Sequence, residues 1–223
     1  MRLLLLYGAY CTNAIWKELA PYLAEHAVDY AAYPRAVTAG AARVEALTDW
    51  AFAAYGSNAY DAVIGHSLGG IVAVQLAARY RMRFDHIICL DTSFKPANAF
   101  YRNLLTPAHM DAFGQTLLDA FGRERAFYGP ALVRALREDF DYTADLRAVS
   151  GNVCVIYGDR GVPAYTGRIA DLNLDADTRS RLEIRFLPNA CHMPMLENPA
   201  QLSVMLKDIL ERPAPPANPS RSA

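Results

Sequence analysis

Apolar residues recur along this chain with two different spacings. Unbroken runs at Leu3–Leu6, Ala62–Ile64, Ile87–Leu90 and Val153–Tyr157 have the pattern of strands covered on both faces. Val28–Tyr33 reads as another strand, stopped by Pro34. Leu182, Ile184 and Phe186 alternate with charged residues, as a strand at a sheet edge does. Between the runs the period lengthens. Ile15, Leu19 and Leu23 share one helical face, as do Val44, Leu47 and Ala51, then Val72, Leu76 and Tyr80, and finally Leu202, Leu206 and Ile209. These patterns predict a helix after Asn13, helices over 41–55 and 199–210, and one following Ser67. Alternating strands and helices predict an α/β fold with a doubly wound, mostly parallel sheet of about six strands. Sites in such sheets lie beyond the carboxyl ends of the strands, where Tyr7–Tyr10, Ser67, Asp91 and Asp159 fall.

The middle of the chain has a different character. From Phe94 to Ala148 there is no strong strand pattern. Thr106-Pro107 marks a helix start, with Met110, Phe113, Leu117 and Phe121 on one face. A second helix is expected from Pro130, with Leu132, Leu136 and Phe140 aligned. This aromatic-rich segment is expected to be a small helical cap, residues 94–148, inserted between core segments 1–93 and 149–211. Residues 212–223 carry four prolines and no periodicity, and are expected to form a disordered tail.

Composition narrows the function classes. The chain has 223 residues, enough for one domain. Its 22 basic and 23 acidic residues leave a net charge of −1, without the basic excess of a nucleic-acid binder. No apolar run reaches the length of a membrane span, so stable membrane insertion is not expected. Leu3–Leu6 is too short for a signal-peptide core. Cys11, Cys89, Cys154 and Cys191 lack metal-site spacing, which points to no metal and to a reducing, cytoplasmic compartment.

One stretch carries chemistry. Gly65-His66-Ser67-Leu68-Gly69 lies between a clear strand and a clear helix, the setting of a nucleophile elbow. A serine hydroxyl needs a base of near-neutral pKa to take its proton. His26 and His86 flank predicted elements, His66 lies within the elbow pointing away from Ser67, and His109 lies in the cap. His192, in the loop after the last strand, is the expected base. A carboxylate must orient it. The chain order Ser67, Asp159, His192 is serine, acid, histidine, and Asp91, at the end of the strand before the cap, is the alternative. The Leu68 and Ala9 amides are the expected oxyanion-hole donors. Tyr10, His66, Phe94, Phe113 and Met193 are the candidate substrate-pocket residues.

These residues resemble the α/β-hydrolase superfamily over nearly the whole chain up to Arg212. GHSLGG, GDRGVP at 158–163 and CHMPMLENP at 191–199 look most like a small-capped group that includes plant methylesterases and hydroxynitrile lyases. The resemblance implies a fold lacking the first two strands of the usual eight, and a Ser-His-Asp triad needing no metal or cofactor. Its D-[KR]-G-x-P pattern favours Asp159 as the acid. Tyr7-Gly8 stands where the family often has His-Gly. The expected function is a carboxylesterase acting through an acyl-enzyme on a small, apolar, small-molecule ester. C–C hydrolysis or cyanohydrin cleavage on the same triad is the alternative, and a ligand receptor with a retained hydrolase pocket is the alternative of another class.

Overall fold

The strand β1 (Arg2–Leu6), four of whose five residues are leucine, sits inside a six-stranded sheet and pairs on both sides. The structure, a computed structural model, describes residues 1–138 and 140–213. β2 (Ala27–Tyr30) lies on one side of β1 and β3 (Ala62–His66) on the other. β4 (His86–Leu90), β5 (Val153–Gly158) and β6 (Leu182–Leu187) extend the sheet in the order β2-β1-β3-β4-β5-β6, with every pairing parallel. The chain leaves β1 toward one edge and returns on its other side. A crevice therefore opens between the carboxyl ends of β1 and β3. Leu3, Leu4, Leu5 and Leu6 are fully buried, and burying one such side chain contributes about 2 kcal/mol. β6 is half-buried, as expected of an edge.

Helices cover both faces. α1 (Arg35–Gly40) and α2 (Val44–Tyr55) follow β2, and α3 (Leu68–Arg79) follows β3 and packs on α2. The segment after β4 forms α4 (Pro107–His109), a wider turn at Met110–Gly114, α5 (Gln115–Arg125), α6 (Pro130–Ala135) and α7 (Thr143–Ala148). α7 is tied back to the core, where Gln75 donates to Asp145 at 2.9 Å and Arg79 donates to the same carboxylate at 3.0 Å. α8 (Ala176–Ser180), α9 (Pro194–Glu197) and α10 (Pro199–Leu210) complete the chain.

Some boundaries differ from the sequence reading for local reasons. The expected helix after Asn13 is a pair of 3-10 turns, Asn13–Trp16 and Ala20–Leu23. Thr12, not Asn13, caps the first, and the second restarts at Ala20 because Pro21, in its first turn, has no N–H to continue the earlier helix. The helix expected from Ala41 starts at Val44, after Arg43 in extended conformation. α6 stops at Ala135, so Phe140 is not on it. Arg212, expected in the tail, is held by Glu183 at 2.8 Å and Asp208 at 2.6 Å. Residues 214–223 of that tail lie outside the described residues.

Candidate active site

The turn at Ser67 is forced by close backbone approach. A Cβ at Gly65 would strike the Gly69 carbonyl, and one at Gly69 would strike the Leu6 carbonyl. Only glycine lets α3 fold back this tightly over β1 and β3. Ser67 itself has φ +50° and ψ −118°, a conformation that L-residues rarely hold, and its amide donates to Leu90 O at 2.9 Å. The strain lifts its side chain off the sheet at the N-terminus of α3, where the helix dipole favours negative charge.

The loop after β1 faces it. Cys11 N donates to Gly8 O at 3.2 Å, closing a turn in which Tyr10 has φ +61°. Among the described residues, neither the Ala9 nor the Leu68 amide donates to a protein acceptor. Tyr7 turns away, its hydroxyl accepting from Tyr33 N at 2.9 Å. Burial is the main reason its pKa is pushed up to about 12.

His192 is held by the carboxylate that ends β4. Its Nδ1 lies 2.8 Å from Asp91 Oδ2. Asp91 has φ +44° and is buried. Arg160 Nη1 donates to its Oδ1 at 2.6 Å and Nη2 to its Oδ2 at 2.8 Å, while Gly158 N adds a bond of 3.2 Å. Burial alone would raise the carboxyl's pKa. The Arg160 charge and the bonds from His192 and Arg160 outweigh it and hold the pKa well below the carboxylate range. An ionised Asp91 only accepts, so His192 Nδ1 carries the proton and Nε2 keeps its lone pair in the neutral ring.

Asp159, the expected partner, makes no hydrogen bond or ion pair with His192, which bonds Asp91 instead. Asp159 is buried, and its Oδ1 accepts from Gly161 N and Asn189 N, both at 2.8 Å, pinning two loops together. This corrects the sequence reading. The residue of GDRGVP that reaches His192's partner is Arg160, one position later.

Two further groups fix the His192 loop. His66 Nε2 lies 2.8 Å from the His192 carbonyl and donates to it, since a carbonyl only accepts. Its Nδ1 is buried without a partner. Burial, with His192 beside it, lowers its pKa to about 3. The buried Glu197 accepts from the amides on both sides of His192, Cys191 N at 2.6 Å and Met193 N at 3.3 Å. Its other oxygen accepts from Thr106 N in the cap at 2.7 Å. The sequence reading missed Glu197, although CHMPMLENP contains it.

A model of the alpha/beta hydrolase family matches residues 3–203. The chain belongs to that family. No curated protein matches it. Solved structures do match in fold. An enol-lactonase from Burkholderia xenovorans is 14% identical with TM-score 0.68, covering 95% of this chain and 91% of its own. A deformylase from Pseudomonas putida is 17% identical with TM-score 0.67, covering 92% and 91%. A thermophilic esterase from Thermogutta terrifontis is 19% identical with TM-score 0.61, covering 94% and 89%.

In this hydrolase Ser67, Asp91 and His192 line one cavity of about 330 Å³ at the crevice, together with Ala9 and Leu68. Of the expected pocket residues only Tyr10 lines it. Phe94 and Met193 are core residues, His66 lies behind the loop, and Phe113 packs on His109 at 5.6 Å between ring centroids. The apolar wall is instead Ile71 of α3 and Phe121, Leu136, Phe140 and Tyr142 of the segment between β4 and β5. Phe121 and Phe140 stood in the sequence as periodic aromatics, but periodicity alone does not say which face meets the cavity.

Proposed function

We propose that this hydrolase is a carboxylesterase whose nucleophile, base and acid are Ser67, His192 and Asp91. The observation that carries the reading is the Asp91–His192 bond of 2.8 Å in the cavity that the strained Ser67 turn enters. His192 Nε2 takes the Ser67 proton as Oγ attacks the ester carbonyl. The charge that develops on the carbonyl oxygen meets the Ala9 and Leu68 amides, both without other acceptors. The tetrahedral species collapses as His192 returns the proton to the leaving alcohol, leaving an acyl group on Ser67. Water, deprotonated by the same imidazole, releases the acid. Asp91 stays ionised throughout and stabilises the imidazolium.

The apolar wall supports a substrate with a compact hydrocarbon part, and the cap keeps water from the reacting bond. Among the described residues, no helix is long and apolar enough to cross a membrane. The four free, buried cysteines support action in the cytoplasm. The test is hydrolysis of p-nitrophenyl esters of increasing acyl length, with Ser67→Ala as control. Turnover by the wild type, with a loss of about 10³-fold or more in the variant, is the expected result. A folded Ser67→Ala protein that kept wild-type activity would remove Ser67 from the role.

A further inference from the structure

Beside the catalytic cavity lies a second, open groove of about 480 Å³, lined by Arg125, Tyr128, Arg134, Arg137 and Glu138 among others. Arg137 lines both spaces. Tyr10, in the wall of the catalytic cavity, packs edge-on against Tyr128 of the groove at 4.8 Å, and the Arg125 guanidinium lies 5.9 Å from the Tyr10 ring centroid. Arg137 N donates to Arg134 O at 2.9 Å, so the turn that ends α6 presents two of the three guanidiniums.

The charge here is unusual for this chain, whose net charge is −1. Among the described residues, three arginines and one carboxylate, Glu138, line the groove. Among the described residues none of the three is in an ion pair, so their guanidiniums are not neutralised by a carboxylate there, unlike Arg79 and Arg160 beside the core. A guanidinium fork is shaped for a carboxylate, and a cluster of positive charge at a cavity mouth concentrates anions there.

We infer that this groove is an anion subsite, so that the substrate class is an ester carrying a carboxylate at its far end. The carbonyl reaches Ser67 through the apolar cavity while the carboxylate rests among Arg125, Arg134 and Arg137. This rests on the esterase reading.

The test compares p-nitrophenyl hydrogen glutarate with p-nitrophenyl valerate in the full chain. A kcat/KM ratio of about tenfold or more for the glutarate at low salt, shrinking as salt screens the charges, is expected. Arg137→Gln and Arg134→Gln should each lower that ratio. A parallel calorimetric titration of Ser67→Ala with glutaric acid monoanilide and with valeranilide reads binding without turnover. The charged anilide should bind about tenfold tighter. If both esters turn over through Ser67 without preference and both anilides bind alike, the subsite is refuted and the esterase stands. If neither ester turns over but the charged anilide binds tighter, the subsite stands and the esterase reading falls. Failure of both measurements refutes both.

Discussion

Arg160 grips both carboxylate oxygens of Asp91, at 2.6 and 2.8 Å, with both side chains almost wholly buried. The guanidinium also donates to Gly158 O at 2.7 Å and lies 4.7 Å from the Tyr101 ring centroid in the cap segment. A carboxylate this deep needs a partner, and His192, when neutral, supplies no charge. Arg160→Met leaves it alone. The expected loss is about 3–5 kcal/mol in urea denaturation, the range for removing one partner of a buried pair. A loss below about 1 kcal/mol would mean the pair is not what keeps Asp91 ionised.

The two aspartates separate cleanly by substitution. Asp91→Asn should lower kcat by roughly 10³- to 10⁴-fold, since the amide offers no charge to the imidazolium and permits the wrong tautomer. Asp159→Asn weakens the bonds to Gly161 N and Asn189 N. It should cost about 1–2 kcal/mol of stability while kcat stays within a few-fold. Ester kinetics and denaturation on both proteins decide it, and the reverse pattern would restore Asp159 as the acid.

Gly65→Ala should be strongly destabilising. Its Cβ meets the Gly69 carbonyl, which is backbone and cannot step aside. A loss of about 3 kcal/mol or more is expected from thermal or chemical denaturation. A variant within about 0.5 kcal/mol of wild type would show that the elbow is not as tight as drawn.

Acid should weaken the fold through His66. Its pKa is about 3 when folded against 6.5 as a free side chain, so between those limits only the unfolded chain takes the proton. Stability is therefore complete above the free-histidine pKa and falls as pH drops below it, by at most about 1.4 kcal/mol per pH unit. His86, also lowered by burial, adds in the same direction. Asp91, depressed instead, loses its contribution only below the ordinary carboxylate range. Urea midpoints from pH 7 to 4.5 should fall for the wild type and fall less steeply for His66→Gln. Identical slopes would remove His66 as the cause.

Much of this was legible beforehand because it depends on local pattern. The buried strands, the edge strand with alternating Glu183 and Arg185, α10 and the elbow follow from spacing within a few residues. What failed to show was tertiary pairing. Asp91 and Asp159 both end strands, and nothing in either neighbourhood says that a loop 33 residues past Asp159, at His192, bends toward the former. Arg160 decides it by charging the Asp91 site, a contact across 69 positions of sequence. The cap faces were misread for a related reason. A π-type turn at Met110–Gly114 shifts the helical register, so Met110 is exposed while Phe121 reaches the cavity.

Glu197 gives the cap a hold on the imidazole. One carboxylate clasps the amides either side of His192 and, with its other oxygen, the first amide of the cap helices. A larger substrate that pushes this end of the cap outward pulls on the same clasp. Variation there trades reach against rate, whereas variation near Phe140 and Tyr142, far along the cap from Thr106, is free to remodel the wall. Substrate range in this enzyme is thus most evolvable at the far end of the segment between β4 and β5, where a change in shape does not disturb the His192 loop.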